Sequence, residues 1–239
     1  MQLYFIRHGQ SENNRLWALT GTFEERTEDP ELTEVGMQQA QYLANFLGRP
    51  GIKANTPYDV QNVSGFNLTH LYCSLMVRAV ATGSVIAEAL GLPLVAWADI
   101  HEVGGINRMD KELGERRGLP GPNRAFFEKK YPDLVVPDWL GNEGWWNRPF
   151  ESREQGKARA QRFLHEFLER HGGTNDRTAF ISHGGFGGHF LRTLLGVPDE
   201  LRHWISFSNA GITRIDFDEE RAWLCYANRI DFLPPELIT

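Results

Sequence analysis

Apolar residues in this chain come in short solid runs, separated by stretches where they recur every three or four positions. Leu3-Tyr4-Phe5-Ile6, Leu68 to Cys73 and Thr178 to Ser182 are uninterrupted enough to predict strands buried on both faces. Thr33 to Leu47 has the helical period, with Gly36, Ala40, Leu43 and Leu47 on one face and Arg49-Pro50-Gly51 as a stop. Leu75 to Leu90 repeats it through Leu75, Ala79, Thr82 or Gly83, Ile86 and Leu90, with Gly91 at the helix end and Pro93 beyond. Ser152 followed by Gln155 reads as a capping box opening a helix to His171, with Ala160, Phe163 or Leu164, Phe167 and Leu168 inward. Phe186 to Leu195 predicts a last helix, closed by Gly196 and Pro198. Leu94 to Ile100 adds a strand, and Ile212 to Phe217 with Trp223 to Ile230 a hairpin around Asp218-Glu219-Glu220. Residues 53–67 are polar and read as a long loop.

Buried strands alternating with helices predict an α/β fold of three αβα layers, a mainly parallel sheet with helices on both faces. Residues 103–150 break the rhythm. They hold Trp139, Trp145 and Trp146 of the seven tryptophans, several prolines, and eight Lys/Arg against seven Asp/Glu. The expectation is one domain over residues 1–239, with this segment inserted over the carboxyl edge of the sheet.

Composition narrows the partners. The 239 residues are 41% hydrophobic and 23% charged, which is globular and not disordered. A net charge of −6 argues against nucleic acid and anionic membranes as partners. Cys73 and Cys225 both sit in apolar runs and read as buried thiols of a reducing compartment. Met1 leads at once into Leu3 to Ile6 and then Arg7, too short an apolar run for a signal peptide. No run approaches the roughly 20 residues of a membrane span. The expected location is the cytoplasm.

In open α/β sheets, ligands bind beyond the carboxyl ends of the strands. Here the first strand ends in Arg7-His8-Gly9-Gln10-Ser11-Glu12-Asn13-Asn14, the second in Ser74 with Arg78 a turn later, and the third in His183-Gly184-Gly185. A fourth ends near His101-Glu102-Val103. Two arginines, histidines and a carboxylate thus gather at one edge. Gly184-Gly185-Phe186-Gly187-Gly188 lacks the dinucleotide-binding pattern, and no P-loop sequence is present.

Arg7-His8-Gly9 after an N-terminal strand resembles the signature of the histidine phosphatase superfamily, the phosphoglycerate mutase-like proteins. Ser74-Leu75-Met76-Val77-Arg78-Ala79 is similar to that family's second element, with Leu75 where proline is usual. Ser182-His183-Gly184-Gly185 resembles its second histidine motif, and Glu102 its acid. The resemblance implies His8 as nucleophile, Arg7, Arg78 and His183 as phosphate-holding groups, and Glu102 as general acid. Neutral imidazole is a good nucleophile near pH 7, and guanidinium forks suit phosphate oxygens. Asn14 and the Gly184 N–H are candidate neutral donors, and Thr20-Gly21 falls where a mutase substrate loop would lie. Asn14 as a helix cap and Thr20-Gly21 as a turn are the plain structural alternatives. With Arg7, Arg78 and a protonated His183 converging, the pocket would carry about three positive charges, so no metal and no cofactor are expected.

The expected activity is therefore hydrolysis of a small phosphorylated metabolite through a phosphohistidine. The alternative is a 2,3-bisphosphoglycerate-dependent phosphoglycerate mutase. Glu102 is followed by Val103-Gly104-Gly105 instead of the mutase Arg-His-Tyr-Gly, and Arg116-Arg117 lies too near Glu102 for the mutase arginine pair. A metal hydrolase built on His8, His183 and a carboxylate, and a non-catalytic phosphate-binding module, are the other classes considered. Arg108, Lys111, Arg148 and Trp145-Trp146 are candidates for the mouth of the pocket. The acidic run Glu24 to Asp29 reads as a solvated loop, and His101, His189 and His203 as structural. Self-association as a homo-oligomer stays open.

Overall fold

The computed structural model describes residues 1–22, 24–54, 58–198 and 205–239. His203 and part of the 53–67 loop lie outside them. A seven-stranded sheet runs through the centre. It comprises β1 (Gln2–Arg7), β2 (His70–Cys73), β3 (Leu94–Ala96), β6 (Leu134–Val135), β7 (Arg177–Ser182), β8 (Ile212–Phe217) and β9 (Ala222–Arg229), in the order β6-β3-β2-β7-β1-β8-β9. The pairs from β6 to β1 are all parallel; β8 pairs antiparallel with β1, and β9 with β8.

Because side chains alternate across a strand, each central strand feeds two cores. Tyr4, Ile6, Leu71, Cys73, Ala179 and Ile181 face one layer, where α2 (Glu34–Leu47) and α3 (Val77–Leu90) pack. Leu3, Phe5, Tyr72 and Phe180 face the other, made by α5 (Arg153–His171) and α6 (Gly184–Leu194). This is the expected three-layer arrangement. Apolar runs were the right signal for these strands because neither face meets water. The Ser152–Gln155 capping box forms in both directions, at 3.2 and 2.7 Å. On α5, Phe163 and Phe167 are buried while Leu168 is exposed. Leu94 to Ile100 is strand only to Ala96; a 3-10 turn, Ala98–Ile100, follows.

Five elements were not anticipated. The helix α1 (Glu12–Thr20) buries none of its residues, so no apolar stripe announced it. Within residues 103–150, β4 (Asn107–Asp110) and β5 (Glu115–Gly118) form a charged hairpin, followed by α4 (Arg124–Lys130). β6 then joins the main sheet beside β3, so this segment extends the sheet. Trp145 and Trp146 are buried, whereas Trp139 is exposed. Both cysteines are free; Cys73 is buried, but Cys225 is only half-buried on β9, which corrects the expectation for it. Among the described residues no helix is long and apolar enough to cross a membrane.

Candidate active site

The carboxyl ends of β1, β2 and β7 meet in register, with Arg7 opposite Ser182 and Cys73 opposite Ile181. The residue after each strand therefore lands in one place. His8 is pinned there by its backbone: its N–H donates to Ser182 O, and its carbonyl accepts from Ala210 N and Asn209 Nδ2. Gly9 follows because the chain must pass close under α2; a Cβ at Gly9 would lie 2.5 Å from Gly36 O. The Gly9 N–H donates to Thr82 Oγ1.

The His8 ring is held in one protonation state by its partners. Nδ1 lies 2.6 Å from Gly9 O, which can only accept, so the proton sits on Nδ1. Arg78 Nε lies 3.1 Å from Nε2 and can only donate, so Nε2 carries a lone pair. Burial, then the Arg78 and Arg7 charges, push His8 well below its ordinary value. The result is a neutral imidazole with its lone-pair nitrogen capped by a guanidinium.

The His183 ring lies 5.0 Å from that of His8 between centroids, tilted by 56°. Its Nε2 is 2.7 Å from Ser74 Oγ, while its buried Nδ1 meets no partner. With the Ser74 hydroxyl donating to Nε2, or with the ring protonated, Nδ1 presents an N–H to the pocket. Burial, followed by Arg78 and His8, pushes His183 well below its ordinary value. The His183 ring is thus biased toward its neutral form before an anion arrives, and the permanent charge is that of Arg7 and Arg78. Arg7 donates through Nη1 to Phe207 O, and its buried Nε also lacks a partner. A Cβ at Gly184 would lie 3.7 Å from that Nε, so the start of α6 adjoins Arg7.

Arg78 is oriented from behind. Its Nη1 reaches Asp29 Oδ1 at 3.5 Å and its Nη2 meets Met76 Sδ at 3.1 Å. Asp29 also accepts from the Val77 N–H that opens α3, and burial raises its carboxyl to about 6. The acidic run is not solvated throughout: the side chain of its last member is only 10% exposed and lies against the helix start. Beside it, Arg26 lies within electrostatic reach of Arg116, Arg78 and Glu102, and burial pushes it down first. Arg26, Glu28, Asn107, Arg108, Lys111 and Arg116 line a cleft of 970 Å³ between this loop and the β4–β5 hairpin. Arg148 and the Trp145-Trp146 pair line a different hollow, with Trp97 and Asp99, and do not join that cleft.

Glu102 closes the site. Oε1 accepts from Val103 N at 2.8 Å and Phe186 N at 2.9 Å, and Oε2 from Gly185 N at 3.1 Å. The carboxylate thus occupies the N-terminus of α6, where unpaired N–H groups and the helix dipole favour negative charge. Its segment is fixed by Ser182 Oγ on Ile100 O and by buried Arg159 on the carbonyls of Asp99 and His101. Arg159 in turn pairs with Glu151 at 2.7 Å through both nitrogens. His101 Nδ1 donates to Glu102 O and its ring packs on Trp146.

Arg7, His8, Arg78, His183, Glu102 and Gly184 therefore converge. Asn14 is the N3 member of a capping box with Ser11, and its Oδ1 also accepts from Asn209, the residue that holds the His8 carbonyl. Thr20 and Gly21 do not join them. Thr20 bonds back to Leu16 O and Gly21 ends α1 at φ 67°; eight helical residues, a rise of about 13 Å, separate Thr20 from Ser11. Asp29, Arg26, Asn209 and Arg159 were missed, since none belongs to a strand-end motif.

A profile described as histidine phosphatase superfamily (branch 1) matches residues 3–58 and 60–229. A probable phosphoglycerate mutase GpmB of Yersinia pestis is 26% identical over 224 residues, covering 94% of this chain and 88% of its own. A mycobacterial glucosyl-3-phosphoglycerate phosphatase solved with VO3 superposes with a TM-score of 0.59 at 19% identity, over 95% of this chain and 98% of its own. A phosphoserine phosphatase from Entamoeba histolytica, solved with 3-phosphoglyceric acid, gives 0.59 at 20% identity, over 98% and 99%.

Proposed function

The chain belongs to the histidine phosphatase superfamily, and we propose that it is a metal-independent phosphatase that hydrolyses a small phosphomonoester through a phosphohistidine at His8. The observation that carries the proposal is a pair of buried nitrogens without partners, Arg7 Nε and His183 Nδ1, beside the neutral His8 Nε2. Buried polar atoms are normally satisfied, and a phosphoryl group supplies the missing acceptors.

In this reading the incoming phosphate draws Arg78 off Nε2 onto its own oxygens. That exposes the lone pair as the electrophile arrives. Nε2 attacks phosphorus and the ester oxygen leaves, taking a proton from Glu102. Arg7, Arg78, the Gly184 N–H and the His183 Nδ1–H hold the phosphoryl oxygens. Glu102, now ionised and re-seated on the α6 N–H groups, accepts a proton from the water that attacks phosphohistidine. Inorganic phosphate departs and Arg78 caps Nε2 again. To act as acid, Glu102 must swing out protonated from its three N–H donors.

Arg26 and Arg116 at the cleft favour a substrate with a second anionic group near the ester, such as a phosphorylated hydroxy or amino acid. The names of two similar structures, phosphatases of glucosyl-3-phosphoglycerate and phosphoserine, are consistent with that class. The name of the curated relatives supports a second reading, a phosphoglycerate mutase. A panel of phosphorylated acids assayed for phosphate release, without added metal and with excess chelator, tests the first. Label exchange between 2- and 3-phosphoglycerate with little phosphate release would replace it with the second.

A further inference from the structure

At the opposite, amino edge of the sheet stands a second cluster that the proposed reaction does not use. His70 begins β2, His171 ends α5, and Asp176 immediately precedes β7. One ligand atom from each lies within 4.8 Å of the others. His171 Nδ1 is 2.9 Å from Asp176 Oδ2, and His70 Nδ1 is 3.8 Å from Asp176 Oδ1. The six residues of β7 place this cluster about 20 Å from the carboxyl edge. We propose that His70, His171 and Asp176 form a binding site for one divalent transition-metal ion, Zn²⁺ by donor preference, which ties β2, α5 and β7 together.

The donor set is two imidazoles and a carboxylate, with solvent at the fourth position. That is a normal complement for Zn²⁺. A tetrahedral ion with ligands at about 2.05 Å holds them about 3.3 Å apart, so the widest separation here must close by about 1.5 Å. His70 can supply that movement, because its side chain is 41% exposed and turns at the strand start. His171 is the buried, fixed ligand. Its Nε2 is 3.2 Å from Tyr72 OH, the outer hydrogen bond that typically orients a ligating histidine. The site also sits at the C-terminus of α5, the negative end of its dipole, which favours a cation.

Calorimetric titration of the full chain with ZnCl₂ should show one ion per chain at this site. His70→Ala and Asp176→Asn, both at the surface and outside the phosphate pocket, should each weaken it at least tenfold. Saturating Zn²⁺ should raise the melting temperature of the parent chain and leave that of either variant unmoved. Absence of binding, or affinity undiminished in either variant, would overturn the proposal. Binding lost instead with His8→Ala would place the ion in the phosphate pocket and overturn it equally.

Discussion

Replacing Glu102 by Gln separates its anchoring from its chemistry. The carboxylate takes three backbone N–H groups, with Val103 and Phe186 on one oxygen and Gly185 on the other. An amide has one acceptor. Turned toward Val103 and Phe186, it points its NH₂ at the Gly185 N–H, donor against donor. Two bonds weaken from charged to neutral, at about 1 kcal/mol each, and one buried donor is left without a partner, at about 1–3 kcal/mol. The expected loss is about 3–5 kcal/mol, or roughly 6–20 °C in melting temperature for a domain of this size. Urea unfolding at pH 7 measures it. In the folded variant, turnover of alkyl phosphates should fall by about 10²–10⁴, the usual worth of a general acid. Turnover of p-nitrophenyl phosphate, whose leaving group needs no proton, should fall far less. A stability loss under about 0.5 kcal/mol would refute the anchoring. Equal rate losses on both esters would remove Glu102 from the acid role.

Gly185→Ala sets a Cβ 2.4 Å from Glu102 Oε1, so the carboxyl end should be displaced; the variant should fold yet share the leaving-group pattern of Glu102→Gln. Parent-like rates on alkyl phosphates would contradict that. Glu151→Gln leaves the buried Arg159 guanidinium uncompensated and should cost about 3–5 kcal/mol, read as a shifted urea midpoint. In His8, His101 and His183, burial lowers the folded value well below 6.5, so their contribution is full above about pH 6.5 and lost as pH falls below it. Each adds up to about 1.4 kcal/mol per pH unit. Asp29, raised to about 6 in the fold, takes its proton first in the native state and offsets one of the three below that pH. Urea unfolding from pH 7 to pH 5 should therefore show a steep decline, and a flat profile would mean that the histidines are not held neutral.

The central strands and the helices α2, α3, α5 and α6 were legible in the sequence because burial on both faces writes itself as solid apolar runs and helical stripes. The strand-end motifs were legible for a related reason: parallel register carries adjacent strand ends to the same edge. What stayed hidden had no such signature. In α1 the apolar residues Leu16, Trp17 and Leu19 form no buried stripe, and β4 and β5 carry five charged residues among their eight. β6 is two residues long and is a strand only because β3 offers it an edge. Asp29 looked solvated within an acidic run, and its burial depends on the Val77 N–H and Arg78, nearly fifty residues away. The Glu151–Arg159 pair and the His70, His171 and Asp176 cluster are likewise products of packing. The charge of His183 was left conditional by the sequence, because the burial that lowers its ring below the ordinary value is a product of packing.

The central claim is a covalent phosphoryl bond to His8. It is tested by reacting the protein with a labelled phosphomonoester, quenching within the first turnover, and mapping the label by peptide mass spectrometry. The account predicts an acid-labile, base-stable phosphoryl group on the peptide carrying Arg7-His8-Gly9, absent in His8→Ala, which should also lose turnover. Turnover retained by that variant, or label on another residue, would contradict it.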